Sequence, residues 1–453
     1  MASPLDLSLL EISRRFEQGC LSATDLVAAA QERHDPELNA YKTWAPEFAL
    51  RQAQAADAVR RSGTQLGPLQ GIPVSVKDLY GVAGLPVFAG SPRELPETWR
   101  REGPLVRALR NQLAVIMGKA HTVEFAFGGL GTNAHWGAPR NPWDRKVHRS
   151  PGGSSSGAGV SLGEGTALLA VGTDTGGSVR IPASMTGQVG LKTTKGRWST
   201  DGIVPLSPSF DTAGLLTRSV ADMIFAFVAL DGVPVPAAPE PGELRLAVGE
   251  DFFWAETSPG VAERAREAIA ILAGLGTRIT PLEIPGCAEV YQLYQSGGIV
   301  SPELYRFLSV ELPEWIDTLD PRVGGRMAPA KDMPAWTYLD RKMKYDSLSR
   351  RAATLFDQVD AVLMPTVPVT PPPIADVADE ARYRQANLLA LRNTCVVNFL
   401  GLCAVTMPVG LDAAGMPVGL QIVGPPNAEP RLLSIAAAFE KAFVSKGVWK
   451  LPG

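Results

Sequence analysis

Between Ser150 and Lys192 the chain crowds two clusters of serine and glycine around one short apolar run. The first cluster reads Gly152-Gly153-Ser154-Ser155-Ser156-Gly157, the second Gly172-Thr173-Asp174-Thr175-Gly176-Gly177-Ser178. Glycine lets backbone N–H groups approach a ligand closely, so a Gly-Gly-Ser can aim amides at an oxyanion. Glycine and serine runs are ordinarily flexible linkers. A linker, however, does not carry Ala167–Val171, an apolar run that reads as a buried strand delivering the second cluster. The span reads as a site.

A serine hydroxyl is a weak nucleophile at neutral pH and needs a base beside it. Gly153-Ser154-Ser155-Ser156-Gly157 matches the G-x-S-x-G elbow of α/β-hydrolases, which requires an acid and then a histidine downstream. The four histidines, His34, His121, His135 and His148, all precede Ser155. Motifs for phosphate cradles and dinucleotides are absent. A lysine can take the place of histidine if burial keeps it neutral. Gly71-Ile72-Pro73-Val74-Ser75-Val76-Lys77 is an apolar strand that ends in such a lysine.

Together these pieces resemble the amidase signature family of serine hydrolases, marked by GGSSGG, then G(S/T)D(I/T)GGS(I/V)R, with an upstream V-K-D. Here they stand as Val76-Lys77-Asp78, Gly153-Ser154 and Gly177-Ser178-Val179-Arg180, and the likeness runs from about residue 5 to 445. Ser154 and Ser178 are 24 positions apart, the family's register. Ser156 stands where the family has glycine, so spacing alone selects Ser154. His121 stands where the family usually has asparagine. The resemblance implies Ser178 as nucleophile, Lys77 as base, and Ser154, joined to Gly153 by a cis peptide bond, as the proton carrier between them. It implies an oxyanion hole from the amides of Thr175, Gly176, Gly177 and Ser178. Thr173, Asp174, Arg180 and Ser155 would frame the loop, with Arg180 adding repulsion to the desolvation of Lys77. Phe127, Gly128 and Gly129 would line the acyl pocket. No cofactor is implied, and His121 and His135 lack carboxylates at metal-ligand spacing, so no metal is expected.

The fold expected is α/β: one large domain over 1–453, a central mixed sheet covered by helices on both faces. Its signature core spans about 65–215, and a less regular, aromatic-rich stretch at about 287–345 faces the substrate. A net charge of −3 without a basic run gives no reason to expect nucleic acid. No apolar stretch reaches about 18 residues, so no membrane span is expected. Four scattered cysteines suit reduced thiols in the cytoplasm. The function expected is hydrolysis of C–N bonds in neutral amides, aryl amides (anilides) or carbamates through an acyl-enzyme, by a monomer or homodimer acting on a small molecule. The alternative is the A-type glutaminase component of a tRNA-dependent amidotransferase. That needs an arginine–acid pair for an α-amino acid, for which Arg322, Arg326 and Arg341 are only loose candidates.

Overall fold

Apolar runs of strand length recur along the whole chain, and in the computed structural model they line up in one sheet. The structure describes residues 3–249 and 251–449. In chain order the strands are β1 (Tyr41–Trp44), β2 (Pro73–Lys77), β3 (Val115–Ala120), β4 (Leu169–Thr173), β5 (Val189–Lys192), β6 (Ala213–Thr217), β7 (Arg245–Gly249), β8 (Arg278–Leu282), β9 (Ala361–Pro365), β10 (Cys403–Leu411) and β11 (Pro417–Gly424). Across the sheet the order is β1-β3-β2-β4-β6-β5-β10-β11-β9-β7-β8. Strand β2 runs parallel to β3 and β4, and β7 runs parallel to β8 and β9. Every pairing from β4 across to β9 is antiparallel, so the sheet is mixed.

Strands β2 to β6, β9 and β11 are buried at every residue. Successive strand residues point to opposite faces, so unbroken burial means both faces are covered, as the expected fold requires. The sequence therefore shows apolar runs there and no alternation. Ser22 and Asp25 form the capping box that starts the helix Ala23–Arg33. Among the described residues no helix is long and apolar enough to cross a membrane.

Three expectations are corrected. Strand β4 starts at Leu169 and carries on to Thr173, two residues past the apolar run Ala167–Val171. The stretch 287–345 is mostly helical: Cys287–Gln295, Val300–Glu311, Pro321–Met327 and the start of Ala335–Ala353. Gly297-Gly298, Pro313, Pro321 and Pro334 cut it into pieces too short to show a long helical period. The helix Glu380–Phe399 has no counterpart in the sequence reading, because residues 390–399 are buried all round and leave no apolar stripe to detect.

The helix Ser156–Glu164 starts directly after the first serine cluster, and the Gly157 amide donates to His121 O at 2.9 Å. A methyl group at Gly157 would overlap the Ala40 carbonyl and the His121 backbone nitrogen, both backbone atoms that cannot swing aside. Gly157→Ala is therefore expected to destabilise the protein by about 1–3 kcal/mol, read from the midpoint of urea unfolding.

Candidate active site

Parallel pairing sets Val76 of β2 beside Val171 of β4, so Lys77 and Thr173 end their strands at the same edge of the sheet. There Lys77 Nζ lies 2.7 Å from Thr173 Oγ1 and 2.7 Å from Ser154 Oγ. Lys77 is wholly shielded from solvent, at 0% exposure. Burial pulls its ammonium down from 10.5 to about 7, against the opposing pull of Asp174 and Asp211. Repulsion from Arg180 is not a cause, because Asp174 meets that charge directly. A neutral amine donates to Thr173 and turns its lone pair to the Ser154 hydroxyl, which can then donate to it.

Three neighbouring serines are thereby told apart. The peptide bond Gly153–Ser154 is cis, and Ser154 is the one that reaches the lysine. Ser155 donates its amide to Ser178 O at 3.2 Å and its hydroxyl to Thr173 O at 3.3 Å, tying the two clusters together. Ser156 turns away and donates to His121 O at 3.2 Å.

The loop after β4 is held by a buried ion pair. Arg180 Nε and Nη2 donate to the two carboxylate oxygens of Asp174 at 3.1 and 3.0 Å, and both residues are at 0% exposure. Burial alone would raise Asp174, but the charge and hydrogen bonds of Arg180, together with Lys192 and Asn398, outweigh it and hold the carboxyl well below its usual range. Asp174 also accepts from the amides of Gly177 (2.7 Å) and Val179 (3.1 Å) and from Asn398 Nδ2 (2.8 Å). Arg180 in turn donates to Gln421 Oε1 and Thr394 O, each at 3.0 Å, and to Asn398 Oδ1. Of the four amides expected to form an oxyanion cradle, Gly177 is committed to Asp174, while those of Thr175, Gly176 and Ser178 have no acceptor among the described residues. Gly177 has φ +129°, and a Cβ there would strike the Thr394 side chain, so the turn needs glycine.

Ser178 borders a narrow cavity with Phe127, Gly128, Thr175, Gly176, Tyr294 and Arg326 in its lining. Gly129 is not there. Its amide donates to Asn387 Oδ1 at 2.7 Å and its carbonyl accepts from Gly153 at 2.8 Å, so it braces the cis peptide segment from behind. Of the three arginines singled out, only Arg326 reaches this cavity: Nη1 donates to Phe127 O (2.9 Å) and Nη2 to the Tyr294 hydroxyl (3.0 Å), while the guanidinium lies 3.7 Å over the Phe127 ring. Among the described residues no carboxylate pairs with it. Arg322 is paired with Asp320 at 2.8 Å, and Arg341 is spent on the carbonyls of Gly298 and Ser296. The two histidines do not converge: His135 Nε2 meets Glu124 Oε1 at 3.0 Å, and burial pulls His121 down to about 4.

Sequence reasoning missed the residues supplied by the helix Glu380–Phe399. Asn387, Leu391, Thr394 and Asn398 lie on one face of it, at helical spacing, and all contribute to the site. The signal was present as polar residues recurring at helical intervals through a buried run.

The model of the family described as Amidase matches residues 23–433. A 2-amino-5-chloromuconic acid deaminase of Comamonas testosteroni is 51% identical over 97% of each chain. The A-type component of the glutamyl-tRNA(Gln) amidotransferase of Symbiobacterium thermophilum is 33% identical over 96% of each. A crystal structure of an amidase superimposes with a TM-score of 0.87 at 30% identity, over 98% of this chain and 100% of that one. Fold and likeness define a hydrolase acting on C–N bonds. The chain belongs to the amidase family.

Removing the charge of Asp174 would strand Arg180 in the interior without its anion. Asp174→Asn is expected to cost about 3–5 kcal/mol of stability, measured by urea unfolding.

Proposed function

We propose that this enzyme cleaves the C–N bond through an acyl-enzyme on Ser178. The observation that carries the reading is the desolvated Lys77 amine seated against the Ser154 hydroxyl. As Ser178 Oγ attacks the carbonyl, its proton passes to Ser154 and the Ser154 proton passes to Lys77. The carbonyl oxygen takes its charge to the amides of Thr175, Gly176 and Ser178, where fixed donors stabilise it most. Collapse breaks the C–N bond, the amine leaves with the proton returned along the same path, and water repeats the sequence on the ester. The enzyme acts on a small molecule, as a monomer or homodimer, without nucleic acid, a reading supported by a net charge of −3 with no basic run. Four unpaired cysteines support a cytoplasmic setting.

Arg326 narrows the substrate. It is a fixed guanidinium with no acid partner beside the nucleophile, and no acidic side chain lines that cavity. A substrate with a free carboxylate near the scissile bond supplies the missing anion, with the charge-assisted bonds that guanidinium forms best. The relative named for a deaminase of 2-amino-5-chloromuconic acid acts on an acid that also bears the departing nitrogen. An uncharged anilide or carbamate would pass through the same chemistry but leave Arg326 unused. Glutamine would need a further acid for its ammonium group, which the lining does not supply.

Substitutions and pH dependence test the reading. Ser178→Ala should abolish turnover and covalent labelling by a fluorophosphonate, and Ser154→Ala should lower kcat about 10²–10⁴-fold; label found on Ser155 or Ser156 would overturn it. Because burial lowers Lys77 to about 7, the amine is protonated and inactive below that pH, so kcat/KM should rise as pH climbs through about 7. Lys77→Met should lose the activity.

For Arg326, the measurement is a substrate pair. Arg326→Gln should raise KM for a carboxylate-bearing amide about 10- to 100-fold, with a much smaller effect on the matching uncharged amide. Equal effects on both would rule out carboxylate recognition.

A further inference from the structure

The antiparallel register of β4 and β6 opposes Thr173 to Ala213. Carried past the strand ends, it sets Asp174 opposite Thr212, with the Asp174 amide donating to Thr212 O at 2.8 Å and Thr212 Oγ1 to Asp174 O at 2.7 Å. One step further, Thr175 meets Asp211. Thr175 Oγ1 donates to Asp211 Oδ1 at 2.6 Å, the Ser207 amide donates to both carboxylate oxygens at 3.0 Å, and the Leu206 amide donates to Oδ2 at 3.0 Å. Thr175 and Leu206 both line the cavity of Ser178. One buried carboxylate thus holds an oxyanion amide and the opposite wall of the cavity together.

A second carboxylate extends the link. Glu303 accepts from Ser207 Oγ at 2.6 Å, the Ser209 amide at 3.0 Å, the Tyr338 hydroxyl at 2.7 Å, and Ser209 Oγ. It sits on the helix Val300–Glu311, whose first residue, Val300, also lines the cavity. Sequence reading singled out neither acid. We propose that Asp211 is the positioning residue of the oxyanion loop, fixing Thr175 against the 206–207 turn and, through Ser207 and Glu303, against the helix that walls the substrate cavity. This rests on the Ser178–Ser154–Lys77 reading, since a misplaced oxyanion loop matters only if Ser178 builds a tetrahedral intermediate there.

The charge of Asp211 adds a signature that a purely structural residue would lack. Lys77 and Lys195 face it with positive charge, Glu303 faces it with negative charge, and the Tyr80 phenol, which donates to Gly172 O, is pushed up partly by its field. Burial raises the Asp211 carboxyl itself, against its hydrogen bonds from Thr175, Ser207 and Leu206. Asp211 and Asp174 are the charges that favour protonated Lys77. Removing the Asp211 charge therefore lets Lys77 stay neutral at lower pH.

The test compares three variants by kcat, KM and the acid limb of kcat/KM. Asp211→Asn keeps the shape but removes the charge and turns a donor toward the 206–207 amides. Its kcat should fall at least about 10-fold with KM little changed, and its acid limb should move to lower pH. Asp211→Glu keeps the charge but displaces it, so kcat should fall while the acid limb stays. Thr175→Val removes only the hydroxyl and should lower kcat without moving the limb, which decides the matter if the Asp211 variants do not fold. An Asp211→Asn enzyme within about twofold of the parent in kcat, or a Thr175→Val enzyme equally unaffected, overturns the proposal. Fluorophosphonate labelling separates the two levels: no label on Ser178 of the parent sinks the nucleophile reading, whereas label on Ser178 with unaltered variants sinks only the role of Asp211.

Discussion

The site depends on keeping one primary amine away from water. A solvated Lys77 would stay charged far above neutral pH and could accept no proton. The sheet prevents that by placing the lysine at the end of a strand buried on both faces, with Thr173 of the neighbouring parallel strand beside it. Burial has to outweigh two acids, Asp174 and Asp211, that would recharge the amine. Asp174 is largely spent on Arg180, and Asp211 on Thr175 and the amides of Leu206 and Ser207. The acids of the polar frame thus work against a neutral lysine, and burial is what lowers it.

Much of this was legible in the sequence, for identifiable reasons. Lys77, Ser154 and Ser178 were singled out through the resemblance to the amidase signature family, whose register selects Ser154 over Ser155 and Ser156, and the structure does set Lys77 against Ser154. What the sequence could not show was competition for the same hydrogen atoms. Gly177 looks like an oxyanion donor on paper, yet its amide is taken by Asp174 three residues earlier. Gly129 looks like a pocket residue, yet both its backbone groups brace Gly153 and Asn387. Asp211 and Glu303 were illegible because they act across a strand register and a distance of 92 positions, which no local pattern encodes.

The molecule separates chemistry from choice. In the proposed mechanism, proton transfer and the oxyanion amides come from the N-terminal half, on β2, β4 and the loops that follow them. The cavity walls that meet the substrate come partly from the helices of 287–345, through Tyr294, Val300 and Arg326. Among the described residues no carboxylate pairs with Arg326, and Phe127 and Tyr294 pin it, so the proposed anion would meet it without reorganisation. Relatives of this chain bear names as different as a muconic acid deaminase and a component of an amidotransferase.

The helix Glu380–Phe399 has a consequence for the order in which the protein is made. A ribosome completes Lys77, Ser154 and Ser178 before the first half of the chain has emerged, yet Arg180, paired nearby with Asp174, finds its remaining acceptors at Thr394, Asn398 and Gln421, and the Gly129 amide its acceptor at Asn387. A nascent chain therefore carries the reactive serines and lysine with a buried guanidinium still lacking most of its acceptors. A chain that stops before the helix Glu380–Phe399 therefore lacks the residues that frame the loop of Ser178 from the C-terminal side.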